Sequence, residues 1–335
     1  MKVDGGIGFG AKAGESARQA EDAGYDGVWS AETGHDPFFP LVLAAEHTEH
    51  LELGTGIAVA FARNPMNLAQ ISWDLQAASQ GRFILGLGSQ IAPHITRRFS
   101  MPWSHPAARM REMILAIRAI WASWNDGTKL DFRGDFYQHT LMTPFFNPGP
   151  NPHGDARIFL AAVGGLMTEV AGEVADGLIC HGFTTQRYLT EVTLPALEKG
   201  RAKAGKPMDG FELSGPMFIV TGRDEDEMAA AATGVRRQIA FYGSTPAYRG
   251  VLELHGWGDL QDELNRMSKE GRWADMGTLI DDEMLATFAV VAPLDEVAGK
   301  LIDRWSGVLS RLSFYTPYES APGQFDEVIA ALKAA

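Results

Sequence analysis

The sequence predicts an α/β chain whose strand–helix units close into a (β/α)8 TIM barrel. Three observations carry that prediction. Strand-like and helix-like segments alternate in eight units, the count of a closed barrel. The run Leu51–Ser89 holds two apolar strand segments with a helical segment between them, the βαβ unit of a parallel sheet. Asp-Gly recurs at one place in the cycle: Asp26-Gly27 and Asp176-Gly177 each stand between a helix end and a strand start. Asp-Gly is also ordinary turn chemistry, and an open doubly wound sheet is the alternative fold.

Taken in order, Val3–Gly8 reads as the first strand, 16–23 as a helix and 27–31 as the second strand. Residues 40–49 read as a helix, Leu53–Ala60 as the third strand, 67–79 as a helix and 83–87 as the fourth strand. The segment 105–124 repeats Met110, Met113, Ile114, Ile117, Ile120 and Trp121 at helical spacing, so one face is expected in the core. An irregular excursion rich in Gly, Pro and Asn covers 125–155. The rhythm then resumes: strand 157–163, helix 166–175, strand 178–181, helix 187–204 and strand 211–220. Near the end come helix 294–305, strand 311–315 and helix 325–333. From Asp224 to Met284 the rhythm breaks into about two helical units rich in Trp, Tyr and Met. This stretch reads as an insertion after the seventh strand, suited either to a mouth-covering segment or to a dimer surface.

Composition narrows the class. The chain has 335 residues, 45% hydrophobic and 21% charged, ordinary values for a globular enzyme with a large core. One cysteine, Cys180, excludes an internal disulfide framework and fits a reducing cytoplasm. A formal charge of −13 argues against nucleic acid or an anionic membrane as partner. No apolar run is long enough to cross a bilayer, and MKVDGGIGFG lacks signal-peptide features, so a cytoplasmic location is expected.

Each motif carries a functional and a plain reading. Gly5–Gly14 is glycine-rich but lacks the Gly-Lys-Ser/Thr ending of a phosphate loop, and reads better as a strand exit. Gly86-Leu87-Gly88-Ser89 lacks a third glycine, so it fails as a dinucleotide fingerprint and reads as a tight strand exit. Gly164 and Gly165 sit between a strand and a helix N-terminus, where free amides and the helix dipole favour an anion such as phosphate; a simple turn is the other reading. His47 and His50, with Glu46 and Glu49, read as a solvated helix end, so no metal is expected. His35 follows the second strand among polar residues, where proton transfer is credible; His181 ends the sixth strand with the same two readings. No Gly-x-Ser-x-Gly elbow supports serine hydrolysis.

The segments GYDGVWSAE, LELGTGIAVAFARNPMNLAQ, GRFILGLGSQ and AGEVADGL, in this order, resemble the bacterial luciferase-like flavin and deazaflavin oxidoreductases. The nearest likeness is to the branch that uses coenzyme F-420. It covers Val3 to about Val220 well, the last two units more loosely and the insertion poorly. The resemblance implies one luciferase-like TIM-barrel domain over 1–335, with insertions after strands 4 and 7, the second helical at about 224–286. It implies F-420 as cofactor, with FMN the alternative, and hydride transfer to or from a small organic substrate. An FMN-dependent monooxygenase with a flavin reductase partner, or a flavin-binding barrel without turnover, are the other readings, and a homodimer is expected.

Carried over residue by residue, the family's acid–histidine pair falls on Glu32 and Thr33. The histidine is therefore missing there, and His35 stands as its substitute beside Glu32 in the catalytic role. Thr33, Ser89 and Gln90 match polar cofactor contacts. A non-prolyl cis peptide is expected within Ile57–Phe61, near Ala58-Val59, against the ring face. Gly164 and Gly165 match the phosphate site. Arg63, just past the third strand, is the candidate to balance an anionic ring or tail; an exposed rim arginine is its plain reading.

Overall fold

The eight predicted strands form in the predicted order in a computed structural model that describes residues 1–335. They are β1 (Lys2–Ile7), β2 (Gly27–Ser30), β3 (Glu52–Thr55), β4 (Phe83–Gly88), β5 (Arg157–Ala161), β6 (Gly177–Ile179), β7 (Glu212–Val220) and β8 (Arg311–Tyr315). Contacts divide the chain into two units. One is Gly5–Ile179 with Ala196–Phe211; the other is Met1–Asp4, Cys180–Pro195 and Glu212–Ala335.

In the first unit β2, β3, β4, β5 and β6 pair in sequence order, all parallel. The helices between them are α1 (Ala13–Asp22), α2 (Phe38–His47), α3 (Pro65–Ala78), α4 (Pro106–Asp126) and α5 (Gly165–Val174). Every residue of β4 is buried, as expected of a parallel strand covered on both faces. The predicted face of α4 is wholly inside: Met110, Met113, Ile114, Ile117, Ile120 and Trp121 have no exposed surface. Polar side chains close the loops at the strand N-terminal edge. Glu21 accepts the amides of Glu49, His50 and Leu51, while Arg82 donates to the carbonyls of Ala45, Thr48 and Leu51 and so ends α2. His47 Nδ1 bonds the Leu43 carbonyl at 2.8 Å, which places that histidine in the helix end. Asp176, of the second Asp-Gly, accepts the Ile158 amide and Arg118, each at 2.8 Å.

The third strand differs from its expected span, Leu53–Ala60. It stops at Thr55, passes through a cis peptide at Gly56–Ile57 and resumes as Ala58–Val59, which pairs with Leu87 and Gly88. The cis bond therefore lies before the expected Ala58-Val59 position. Thr55 Oγ1 replaces the lost ladder bonds, donating to Gly86 O at 2.7 Å and accepting Gly86 N–H at 2.9 Å. A Cβ at residue 86 would lie 1.8 Å from Thr55 O, so this close approach alone requires Gly86. The excursion after β4 is not wholly irregular either, for Phe132–Arg133 and Gln138–His139 form an antiparallel pair.

In the second unit the first residues of β1 pair with β8, and β8 pairs with β7, both parallel. A further three-residue strand, Ala289–Val291, runs parallel to β7; three residues directly after a helix are too few to show periodicity. The insertion holds more helix than the two units expected. The 19-residue helix Glu225–Gly243 is followed by Arg249–Leu254, Gly258–Lys269, Trp273–Met276 and Asp282–Phe288. Their apolar faces build a core from Val235, Ile239, Leu252, Leu264 and Phe288 onto Phe218 and Val220 of β7. The same unit holds a buried ion pair. Arg311 Nε and Nη2 grip the Asp4 carboxylate at 2.8 and 2.7 Å, and Nη1 reaches Glu212 at 3.2 Å, with Arg311 and Asp4 side chains both 0% exposed. Asp4→Ala is expected to cost about 3–5 kcal/mol in urea unfolding, because it leaves a guanidinium buried without its main partner. A loss below about 1 kcal/mol would contradict that role.

Candidate functional site

Because β2 to β5 run parallel, the residues just past their C-terminal ends share one rim of the first unit. Glu32 follows β2. Its Oε2 accepts Val59 N–H at 2.7 Å and Arg63 Nη1 at 2.6 Å, with the side chain 6% exposed. Arg63 Nη2 extends to Asp36 Oδ2 at 2.8 Å, and Nη1 also reaches Val59 O at 3.2 Å. The guanidinium thus spans two carboxylates and stacks over Phe38. Backbone bonds complete the tie: Gly56 N–H donates to Ser30 O, and Glu32 N–H to Ile57 O.

The predicted residues fall into three groups. Glu32, Arg63 and Val59 are brought together, with Asp36, which the sequence reading did not single out. Ala58 and Val59 are fully buried, and both backbone groups of Val59 are engaged. Arg63 faces two acids, so its charge is already balanced within the chain. His35 stands outside this network, exposed, its ring stacked on Phe9 at 4.0 Å and 7°. Thr33 is exposed, and its carbonyl accepts from Arg98.

Past β4, Ser89 Oγ donates to Gln90 O, and Gln90 Oε1 accepts Ile91 N–H, leaving the Gln90 NH2 group unengaged. Past β5, Gly164 and Gly165 open α5. No side chain caps this helix, no acid lies in its first turn, and its leading amides have no internal acceptor. A Cβ on either glycine would meet no atom within 4 Å, and neither has a positive φ. The fold itself therefore does not need glycine there. Open space over unpaired amides at a helix N-terminus suits an anion. Past the ends of the strands Phe9, Ile91 and Leu166 are 59%, 52% and 75% exposed, apolar side chains of which Phe9 meets only the His35 ring by stacking.

The second unit holds a separate cluster. Burial pushes the His181 imidazole down to about 4. Its ring stacks on Tyr248 at 4.5 Å and meets Tyr242 edge-on at 4.6 Å, and Tyr242 Oη bonds Tyr315 Oη at 2.6 Å. Aromatic density in the insertion was legible in the sequence, but not its convergence on His181. Burial likewise pushes the Cys180 thiol up to about 12, which keeps it unreactive.

The luciferase-like monooxygenase family model matches residues 9–310. The chain belongs to the luciferase-like monooxygenase family. A relative, the uncharacterized protein Rv1360 of Mycobacterium tuberculosis, is 59% identical over 313 residues, covering 93% of this chain and 92% of that protein. The F-420-dependent glucose-6-phosphate dehydrogenase of Intrasporangium calvum is 28% identical, covering 86% and 90%. Among solved structures, the coenzyme F-420-dependent tetrahydromethanopterin reductase of Methanopyrus kandleri matches with a TM-score of 0.78, 20% identity and coverage of 98% and 97%. This likeness shows the fold, the α/β TIM barrel of eight parallel strands that the alternation predicts.

His181 generates a pH prediction. The unfolded chain takes up a proton near pH 6.5, whereas the folded chain does so only near pH 4. Between those values the unfolded state binds more protons, so stability falls as the pH drops through the window. The His181 share is on the order of 3 kcal/mol. Urea unfolding at pH 7 and pH 4.5 is expected to show a smaller loss in His181→Asn than in the unsubstituted protein. Equal losses would contradict the assignment.

Proposed function

We propose that this protein is an oxidoreductase that passes a hydride between coenzyme F-420 and a small organic substrate. The observation that carries the reading is the opening of α5, where Gly164 and Gly165 leave clear space over unpaired amides for a phosphate. The names of the Intrasporangium and Methanopyrus proteins, both F-420-dependent, support it. When bound, F-420 would supply the hydride chemistry, so the chain needs only a slot, an anchor and one proton-transfer group.

The residues fit those tasks. The Gly165 amide and its neighbours would hold the phosphate. Phe9, Ile91 and Leu166 offer an apolar surface to a flat ring, and the free Gln90 NH2 group can donate to its edge. Thr33 lies on the same rim. Glu32 and Arg63 hold the segment past β3 in shape. His35, exposed and free of that network, is the candidate to hold or move the proton.

Titration with F-420 and with FMN, read by fluorescence quenching, is expected to give saturable F-420 binding; binding of FMN alone would overturn the cofactor assignment. Gly164→Val should weaken F-420 binding at least about tenfold while leaving the thermal midpoint unchanged, since its side chain meets nothing in the fold. Unchanged affinity would remove the phosphate role. His35→Ala should slow turnover on the order of a hundredfold with F-420 affinity retained; equal rates would remove His35 from the chemistry.

A further inference from the structure

The His181 cluster has a hydrogen-bond arrangement that the cofactor reading does not use. His181 Nδ1 accepts the Phe183 backbone N–H at 3.0 Å, so Nδ1 carries no proton. The ring is neutral at physiological pH, and its one proton must sit on Nε2. Nε2 faces Tyr248 Oη at 3.2 Å, so the imidazole donates and the phenol accepts. The Tyr248 hydroxyl proton is therefore left to point elsewhere, and no acceptor in the chain takes it.

The same accounting applies beside it. Tyr242 and Tyr315 share one hydrogen bond at 2.6 Å. One hydroxyl donates and the other accepts, which leaves the accepting hydroxyl with its own proton unspent. The Tyr242 and Tyr248 rings lie 6.1 Å apart and perpendicular, both against His181. Two phenolic donors without acceptors thus stand on neighbouring rings.

The rings packed on the cluster are aromatic and carry no charge. Phe183 packs on Tyr248, and Phe218 stacks on Tyr315 at 4.6 Å. None of the chain's cation–π contacts involves these six residues. His181, Tyr242, Tyr248 and Tyr315 are half-buried, so the group retains exposed surface. Two spare donors call for an oxygen with two lone pairs and no proton of its own. Apolar ring faces without a cation call for an uncharged body.

We propose that this cluster binds an uncharged carbonyl compound, whose oxygen accepts the Tyr248 hydroxyl proton and one from the Tyr242–Tyr315 pair. As the substrate site of an oxidoreductase the cluster rests on the function proposed above; as a carbonyl-binding site it does not. The geometry disfavours phosphorylated substrates, which need a cation or free amides that the cluster lacks.

The test is binding to the protein without cofactor, with carbonyl-13C-labelled cyclohexanone and glucose 6-phosphate as probes. The bound cyclohexanone carbonyl resonance is expected to move downfield, the signature of a carbonyl accepting hydrogen bonds. Tyr248→Phe should lose about tenfold in affinity and most of that shift, with its thermal midpoint retained; Tyr242→Phe provides a second variant should the first fail to fold. An unshifted carbonyl, unchanged affinity in both variants, or glucose 6-phosphate binding as tightly as the ketone would overturn the proposal. F-420 titration of the unsubstituted protein reads the cofactor assignment separately. Ketone binding that survives where F-420 does not bind would leave this site standing and sink the cofactor reading.

Discussion

One carboxylate oxygen, Glu32 Oε2, accepts both the Val59 amide and the Arg63 guanidinium, and the rim past β2 and β3 is built around that pair of bonds. The chain leaves regular strand geometry at Gly56–Ile57, and around the break backbone groups of Gly86 and Val59 lack backbone partners. Three side chains replace them: Thr55 bonds both backbone groups of Gly86, Glu32 takes the Val59 amide, and Arg63 takes the Val59 carbonyl. Arg63 in turn needs its acids, because a guanidinium with its side chain 15% exposed is stable only when paired. Glu32 Oε2 is therefore committed to holding the segment past β3 in shape. The function proposed above gives proton transfer to His35, which stands outside that network.

The two units handle charge in opposite ways. The rim of the first carries Glu32, Arg63, Asp36 and Arg98, together with unpaired helix amides and exposed apolar side chains. Such a mixture can receive a flat ring joined to an anionic tail. The aromatic cluster of the second carries no formal charge, since burial holds His181 neutral and its Nδ1 is already committed to a backbone amide. A neutral histidine with a fixed tautomer orders the hydroxyls around it, which is how one backbone bond at Phe183 decides what Tyr248 can offer.

The fold was legible because it rests on periodicity. The apolar face of α4 and the buried run Phe83–Gly88 are patterns that local sequence carries without knowledge of neighbours. What escaped was long-range. The break at Gly56–Ile57 depends on Thr55 reaching Gly86, thirty-one positions away, and no window of apolar spacing contains that bond. Asp36 was passed over because its partner, Arg63, lies twenty-seven positions on. The expectation of an anion site at Gly164 and Gly165 came from local pattern, but only the structure separates them from Gly86, whose glycine the fold demands. Tyr248 was visible only as one aromatic among several.

The most direct test of the central claim is a crystal structure of the protein soaked with F-420. The account predicts the phosphate of the coenzyme at the amides of Gly165 and its neighbours, with the ring against the rim that carries Ile91 and Leu166. A coenzyme bound elsewhere, or an empty rim at saturating F-420, would contradict it.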